Sequence, residues 1–280
     1  MEYTDSNNNV KIIAKEISIG KDVSFGKNID INLYGSFSIG DRSRLGENVK
    51  IEGNNVSFGS DLYHSEGLWV GGGGVTNPTA NLIIGNRCTI HNNYINIYEK
   101  VIIGDDVGLS LEVSIQTHGY WLSVLEGFPA KFAGVKIGDG TIVGFRSTIL
   151  MGVEIGKKIV IGACSVVTRD IAGEGYVYAG NPARMISKIQ EPSLEHKNKL
   201  LENIIKEFIK VSKHHGVSIK IEILDYPLVK VNECCIFNVE ALTVTGDQNW
   251  KTDNFRDFVR KYGLRFYNDR PFATTHHLSS

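Results

Sequence analysis

The chain has 280 residues and a formal net charge of -1, so no global field draws it toward nucleic acid or an anionic membrane. No run of eighteen apolar residues appears, which argues against a helical membrane span. Met1 to Asn9 is polar and acidic rather than basic and then apolar; no signal peptide is expected, and the expected compartment is the cytoplasm. Branched apolar residues then return at steps of six. Ile19-Gly20, Phe25-Gly26 and Ile31 form one set; Ile39-Gly40, Leu45-Gly46 and Ile51 form another. From 52 to 80 the period fades, and four consecutive glycines, Gly71 to Gly74, predict a loop excursion near 60–80 that carries His64 and Trp69. The period resumes at Ile84-Gly85 and Ile90, and again at Ile103-Gly104, Leu109 and Ile115.

From Ile115 to Ile137 the step is not a multiple of six, so 118–134 reads as an inserted loop. It holds Tyr120, Trp121, Leu122, Glu126, Phe128 and Pro129. An aromatic loop thrown from a rigid coil packs against something or lines a binding site. The clearest stretch follows, with anchors at Ile137, Val143, Ile149, Ile155, Ile161 and Val167. Glycine follows four of these anchors, at Gly138, Gly144, Gly156 and Gly162. Four places after each anchor stands Thr141, Ser147, Val153, Ile159, Ser165 or Ile171.

A period of six fits neither helix nor simple strand alternation. It means one short β-segment and one turn per repeat, with one large apolar side chain inward each time. Three repeats, or roughly eighteen residues, make one turn of a triangular parallel coil, and coils stack about 4.8 Å apart. Glycine at the corners is expected to supply backbone angles that a β-carbon disfavours. The expected fold is an all-β solenoid over 1–190.

Val177 to Lys188 reads as a strand, a turn at Asn181-Pro182 and a short helical start. Pro192 marks a boundary before a small mixed α/β or α+β domain at 191–280. Ser193 is placed to cap a helix whose apolar face is Leu200, Leu201, Ile204, Ile205, Phe208 and Ile209, ending at Gly216. Strands are expected at 217–224 and 236–245, a second helix at 254–262, and a loose polar tail from Phe272. Cys88 and Cys164 read as small buried hydrophobes, and adjacent Cys234 and Cys235 disfavour a shared metal. His214, His215, His276 and His277 read as surface residues.

The hexads, together with VSIQTHGY, KIGDGTIVGFRSTILMGVEIG, IVIGACSVVTRD and YVYAGNPARMI, resemble the hexapeptide-repeat acyltransferases. The resemblance covers roughly 10–190 and is closest to the sugar O-acetyltransferases. It implies a left-handed parallel β-helix, a homotrimer with active sites between subunits, acetyl-CoA as donor and no metal. It also implies that His118 is the general base on an acceptor hydroxyl of a sugar or glycan. Val143 departs from the family, in which many members carry tryptophan beside the acceptor.

A sugar hydroxyl is a poor nucleophile at neutral pH, and an imidazole suits the removal of its proton. The second ring nitrogen needs an acceptor; Glu126 and Glu112 are the nearest carboxylates in sequence. Gly144, Gly162, Ala163 and Gly180 would let coenzyme A lie close to the backbone. Arg146, Lys158, Arg169, Arg184 and Lys188 are candidates for its phosphates, Arg184 foremost. Acceptor contacts are expected from His91, Asn93, Trp121 and Trp69, with His64 a further candidate. At eighteen residues per coil, His91 and His118 fall on different faces. N-acetylation of an amino sugar is the first alternative, and a non-catalytic trimeric solenoid that binds or assembles is the second. A zinc hydratase on the same coil needs a histidine cluster, and His118 has no histidine nearby in sequence.

Overall fold

The computed structural model describes residues 1–268 and 270; the tail from Phe272, with His276 and His277, lies outside them. Two compact units divide the chain, Met1–Gln190 and Glu191–Ser280.

The first unit visits three sheets in rotation. Its first sheet takes Val10–Ile13, Ile29–Leu33, Val49–Gly53, Trp69–Gly71, Tyr94–Asn96, Ser114–Ile115, Thr148–Ile149 and Val166–Val167, all parallel. Ile12, Ile31, Ile51, Val70, Ile95, Ile115, Ile149 and Val167 pair in register across it. Every one of them is buried, at about 1.5–3 kcal/mol of burial per side chain. Matching columns run through the other two sheets, as in Ile103, Ile137 and Ile155, and in Leu109, Val143 and Ile161. The residues four places after the anchors are buried too. Their hydroxyls are satisfied locally: Thr141 Oγ1 donates to Gly156 O at 2.9 Å, and Ser147 Oγ to Gly162 O at 2.9 Å. The polar corner is thereby hydrogen-bonded inside an apolar column.

Four expectations change. First, the coil is eighteen residues long only late in the chain, as from Ile149 to Val167; Ile12 to Ile31 and Ile31 to Ile51 are longer steps. Second, the stretch after 52 is not loop. Asn55–Phe58, Tyr63–His64 and Trp69–Gly71 complete a regular coil, and only 72–80 leaves it. The period was hidden because a histidine, His64, occupies the inward anchor position, paired with Ile90.

Third, the glycines that follow the anchors do not hold the left-handed corners. Those fall two places on, at Asp22, Arg42, Asp61, Arg87, Asp106 and Lys158, all with φ near +50° to +58°. The glycines are there for clearance: a Cβ on Gly138 would lie 2.7 Å from the carbonyl carbon of Gly156 in the next coil. Cys164 also stands at a left-handed corner, with φ 56°, and is exposed rather than buried; Cys88 is buried. Fourth, the segment after Asn181-Pro182 is no helix. Arg184–Lys188 returns antiparallel to Tyr176–Ala179 and covers the end strand of the third sheet. Glu2–Asp5 does the same at the other end against Val10–Ile13.

The second unit is α+β. Ser193 caps the helix Leu194–His214 by accepting from the His196 N–H, and the helix buries Leu201, Ile205 and Phe208. Four strands, Ile221–Ile223, Leu228–Val231, Cys235–Asn238 and Thr243–Gly246, form an antiparallel sheet in chain order. The expected strand at 236–245 is two strands that turn at Leu242, whose φ is 53°. The second helix is Trp250–Val259, earlier than expected because Asn249 and Thr252 form a capping box. Phe208, Phe237, Phe255 and Phe266 make its core. His214 and His215 are exposed. Among the described residues, no helix is long and apolar enough to cross a membrane.

Candidate active site

Two corners flank the first sheet, and the candidate residues separate between them. The chain leaves the sheet after Gly71, Asn96 and Ile115 at one edge. Both excursions, 72–80 and 118–134, spring from that edge.

The strand Tyr94–Asn96 turns Ile95 inward and Asn96 outward. Asn96 is nonetheless buried, because the flap and the glycine run cover it. Its Oδ1 accepts from the Tyr98 N–H at 3.1 Å, from the Thr117 hydroxyl at 2.6 Å, and faces His118 Nδ1 at 3.0 Å. A backbone N–H can only donate, so the Tyr98 contact fixes which amide atom is oxygen. Nδ1 of His118 must then donate, so in the neutral imidazole the lone pair is on Nε2. One of the four glycines makes room for this amide. Gly72 has φ +89°, and a Cβ there would lie 2.1 Å from Asn96 Nδ2. The same excursion steadies the next coil, where Asn77 Nδ2 and the Thr79 hydroxyl both donate to Tyr98 O.

The 118–134 insertion is a flap. His118–Gly119 pairs antiparallel with Lys131–Phe132, and a short helical turn at Val124–Glu126 closes its tip. The imidazole is walled by aromatic rings. Tyr98 lies 5.1 Å away between centroids, Tyr120 5.4 Å, and Phe132 6.2 Å and nearly parallel at 16°. Trp121, 90% exposed, and Leu125, 95% exposed, project from the flap.

Neither carboxylate holds His118. Glu126 is exposed in the flap's helical turn, and Glu112 binds Arg146 at 2.6 Å on the opposite corner. The partner is a neutral amide, Asn96, which no local motif announces; its signal is only an asparagine at an outward strand position one coil before the insertion.

The opposite corner collects most other candidates. His91, Asn93, Gly144, Arg146, Gly162 and Ala163 all lie between strands of the third and first sheets, and Gly180 follows the last coil strand of the third sheet. Asn93 is buried and committed to the fold: its Oδ1 accepts from the His91 N–H at 2.8 Å and its Nδ2 donates to Ser110 O at 2.7 Å. Both polar atoms of its side chain already have a partner within the fold. His91 Nδ1 meets the Ser65 hydroxyl at 2.8 Å, and burial lowers its pKa. Gly144 and Gly162 make room for the next coil, since a Cβ on Gly144 would lie 2.6 Å from Ala163 N and one on Gly162 2.8 Å from Ala179 Cβ. Ala163 is exposed at this corner. Gly180 has φ +100° at the turn into the terminal hairpin. Arg184, on that hairpin, lines a cavity of about 170 Å³ with Arg169, Asp170 and Tyr178. Lys158 pairs with Glu174 at 2.6 Å, and the Lys188 ammonium lies 5.8 Å from the Tyr176 ring. Val143 is fully buried in the inward column, so it cannot wall an acceptor.

Trp69 stands between the corners, outward on the first sheet, half-exposed and 4.9 Å from the Tyr94 ring. His64 is elsewhere: it is sealed inside the coil, where its Nδ1 accepts from the Gly46 N–H at 3.1 Å. Its Nε2 has no partner among the described residues, and burial pushes its pKa down to about 4. Among the described residues, no cluster of three or more metal-ligating side chains forms.

Residues 134–169 match the family model described as the hexapeptide repeat of succinyl-transferase. A provisionally named acetyltransferase of Saccharomyces cerevisiae is 43% identical over 116 residues, 40% of this chain and 58% of that protein. A 2,3,4,5-tetrahydropyridine-2,6-dicarboxylate N-acetyltransferase of Clostridium perfringens is 39% identical over 70 residues, 25% of this chain and 29% of that one. The solved maltose O-acetyltransferase of Clostridium difficile aligns at 24% identity and a TM-score of 0.31, over 64% of this chain and 70% of that chain. The chain thus spans less than two thirds of either curated relative's length. Residues 134–169 are thus similar to a hexapeptide repeat, and part of the chain is similar to acetyltransferases.

Proposed function

We propose that this chain transfers the acetyl group of acetyl-CoA directly to a hydroxyl of a sugar or glycan. The observation that carries the reading is the His118 imidazole, fixed by Asn96 so that Nε2 is a base, at the root of an aromatic flap. The acceptor oxygen attacks the thioester carbon as Nε2 takes its proton. The tetrahedral intermediate then collapses, the C–S bond breaks, and the imidazolium returns the proton to the leaving thiolate. No acyl-enzyme is needed.

The donor lies along the opposite corner, where Gly144, Arg146, Gly162 and Ala163 stand on successive coils and Gly180 and Arg184 follow in the terminal hairpin. Arg184 and Arg169 suit its phosphates. In one chain that corner and His118 flank the sheet from opposite edges, so a neighbouring copy completes each site. A homotrimer of left-handed coils, as in the family, supplies that neighbour, and the cytoplasm supplies the donor.

The experiment is thiol release from acetyl-CoA across free sugars, nucleotide sugars and glycans, followed by product mass. A hydroxylamine-labile acetyl ester supports the reading. A stable amide would move it to N-acetylation, which a neutral histidine also serves. Failure of every acceptor to release thiol above background would end it.

A further inference from the structure

The first sheet carries a feature on its outward face that the transfer chemistry does not use. Lys50, Trp69, Tyr94 and Ser114 stand in one row across four coils, in register. Trp69 is 52% exposed and its ring lies 4.9 Å from that of Tyr94, tilted by 58°. Hydrogen-bonding groups border the pair on both sides. Lys50 and Glu52 form an ion pair at 3.2 Å one coil before it, and Gln116 Nε2 donates to Ser114 Oγ at 2.7 Å one coil after.

This row is wired to the base. The Tyr94 hydroxyl accepts from Asn96 Nδ2 at 3.2 Å, and the other end of the same amide holds His118 at 3.0 Å. One amide therefore separates the aromatic pair from the imidazole that would deprotonate a hydroxyl. A pyranose ring presents an apolar C–H face and a hydroxyl rim. An open aromatic face bordered by donors and acceptors matches both at once.

We propose that Trp69 and Tyr94 form an acceptor subsite on which a second sugar ring stacks while the ring beside it offers its hydroxyl to His118. The acceptor is then an oligosaccharide or a glycan chain rather than a monosaccharide. This rests on the acetyl-transfer reading and specifies its substrate class.

The test uses the full-length protein with glucose, maltotriose and cellotriose as probes. Thiol release with at least one trisaccharide should show a lower KM than with glucose. Trp69→Ala should raise that trisaccharide KM about 5- to 10-fold, with KM for acetyl-CoA unmoved, and Trp69→Tyr should restore most of the loss. Calorimetric titration, without donor, should report trisaccharide binding in His118→Ala and weaker binding once Trp69→Ala is added. Equal KM for glucose and both trisaccharides would overturn the proposal. So would binding that is indifferent to Trp69→Ala, or a Trp69→Ala variant that changes only the oligomeric state, which would make this face a subunit contact. Full turnover in His118→Ala would instead overturn the transfer mechanism, and calorimetry would still judge the subsite.

Discussion

His64 ties the stability of the coil to pH. It sits at an anchor position in register with Ile90, wholly buried. Its Nδ1 accepts from the Gly46 N–H, so a second proton would set a donor against a donor inside an apolar column. Burial is the main reason that its pKa falls to about 4 from 6.5, with smaller contributions from the charges of His91 and Arg44. The unfolded chain therefore binds this proton first as pH drops. The folded state carries no penalty from His64 above pH 6.5 and loses stability as pH falls through 6.5 toward 4. The two values give a loss of about 2 kcal/mol at pH 5 and about 3 kcal/mol at the acid limit. His64→Leu keeps the column apolar and removes the proton site. It also strands the Gly46 N–H, a cost of about 1 kcal/mol that does not depend on pH. Urea unfolding of both proteins at pH 7.5 and pH 5 isolates the effect. The gap between them should shift by about 2 kcal/mol in favour of His64→Leu at pH 5. Parallel stability profiles across that range would refute a buried neutral imidazole at this position.

Three further expectations follow from the same geometry. Asn96→Ala frees the ring tautomer of His118 and should lower kcat roughly 10-fold or more with KM for acetyl-CoA unchanged. Asn96→Asp should retain more activity than Asn96→Ala and move the acid limb of the rate profile to higher pH, because a carboxylate beside Nδ1 favours imidazolium; identical pH profiles in the two variants would contradict the assignment. Gly138→Ala places a Cβ 2.7 Å from the Gly156 carbonyl carbon and should cost about 1–3 kcal/mol, with a lowered Tm as the readout; an unchanged Tm would show that coil spacing does not demand glycine there.

The coil was legible because its physics repeats. One branched residue every sixth place has a single economical solution, and Ile137 through Val167 state it without interruption. The flap was legible as a break in arithmetic at 118. Local exceptions were harder. His64 fills an apolar slot, so the period vanishes where the fold continues. The glycine run at 71–74 signalled a loop but not that one of its members, Gly72, lies against the amide of Asn96. Asn96 itself was hidden, since its role depends on the register that brings strand 94–96 under Ser114–Ile115. Charged residues misled in the opposite way. Glu126 and Glu112 are near His118 in sequence, yet one lies in the exposed flap and the other is paired with Arg146 at the opposite corner.

The most direct measurement is steady-state thiol release at saturating acetyl-CoA and acceptor for the wild-type chain and His118→Ala. Loss of the base should lower kcat by roughly 100-fold or more, while KM for acetyl-CoA stays within experimental scatter. A variant that turns over near the wild-type rate would contradict the role assigned to that imidazole.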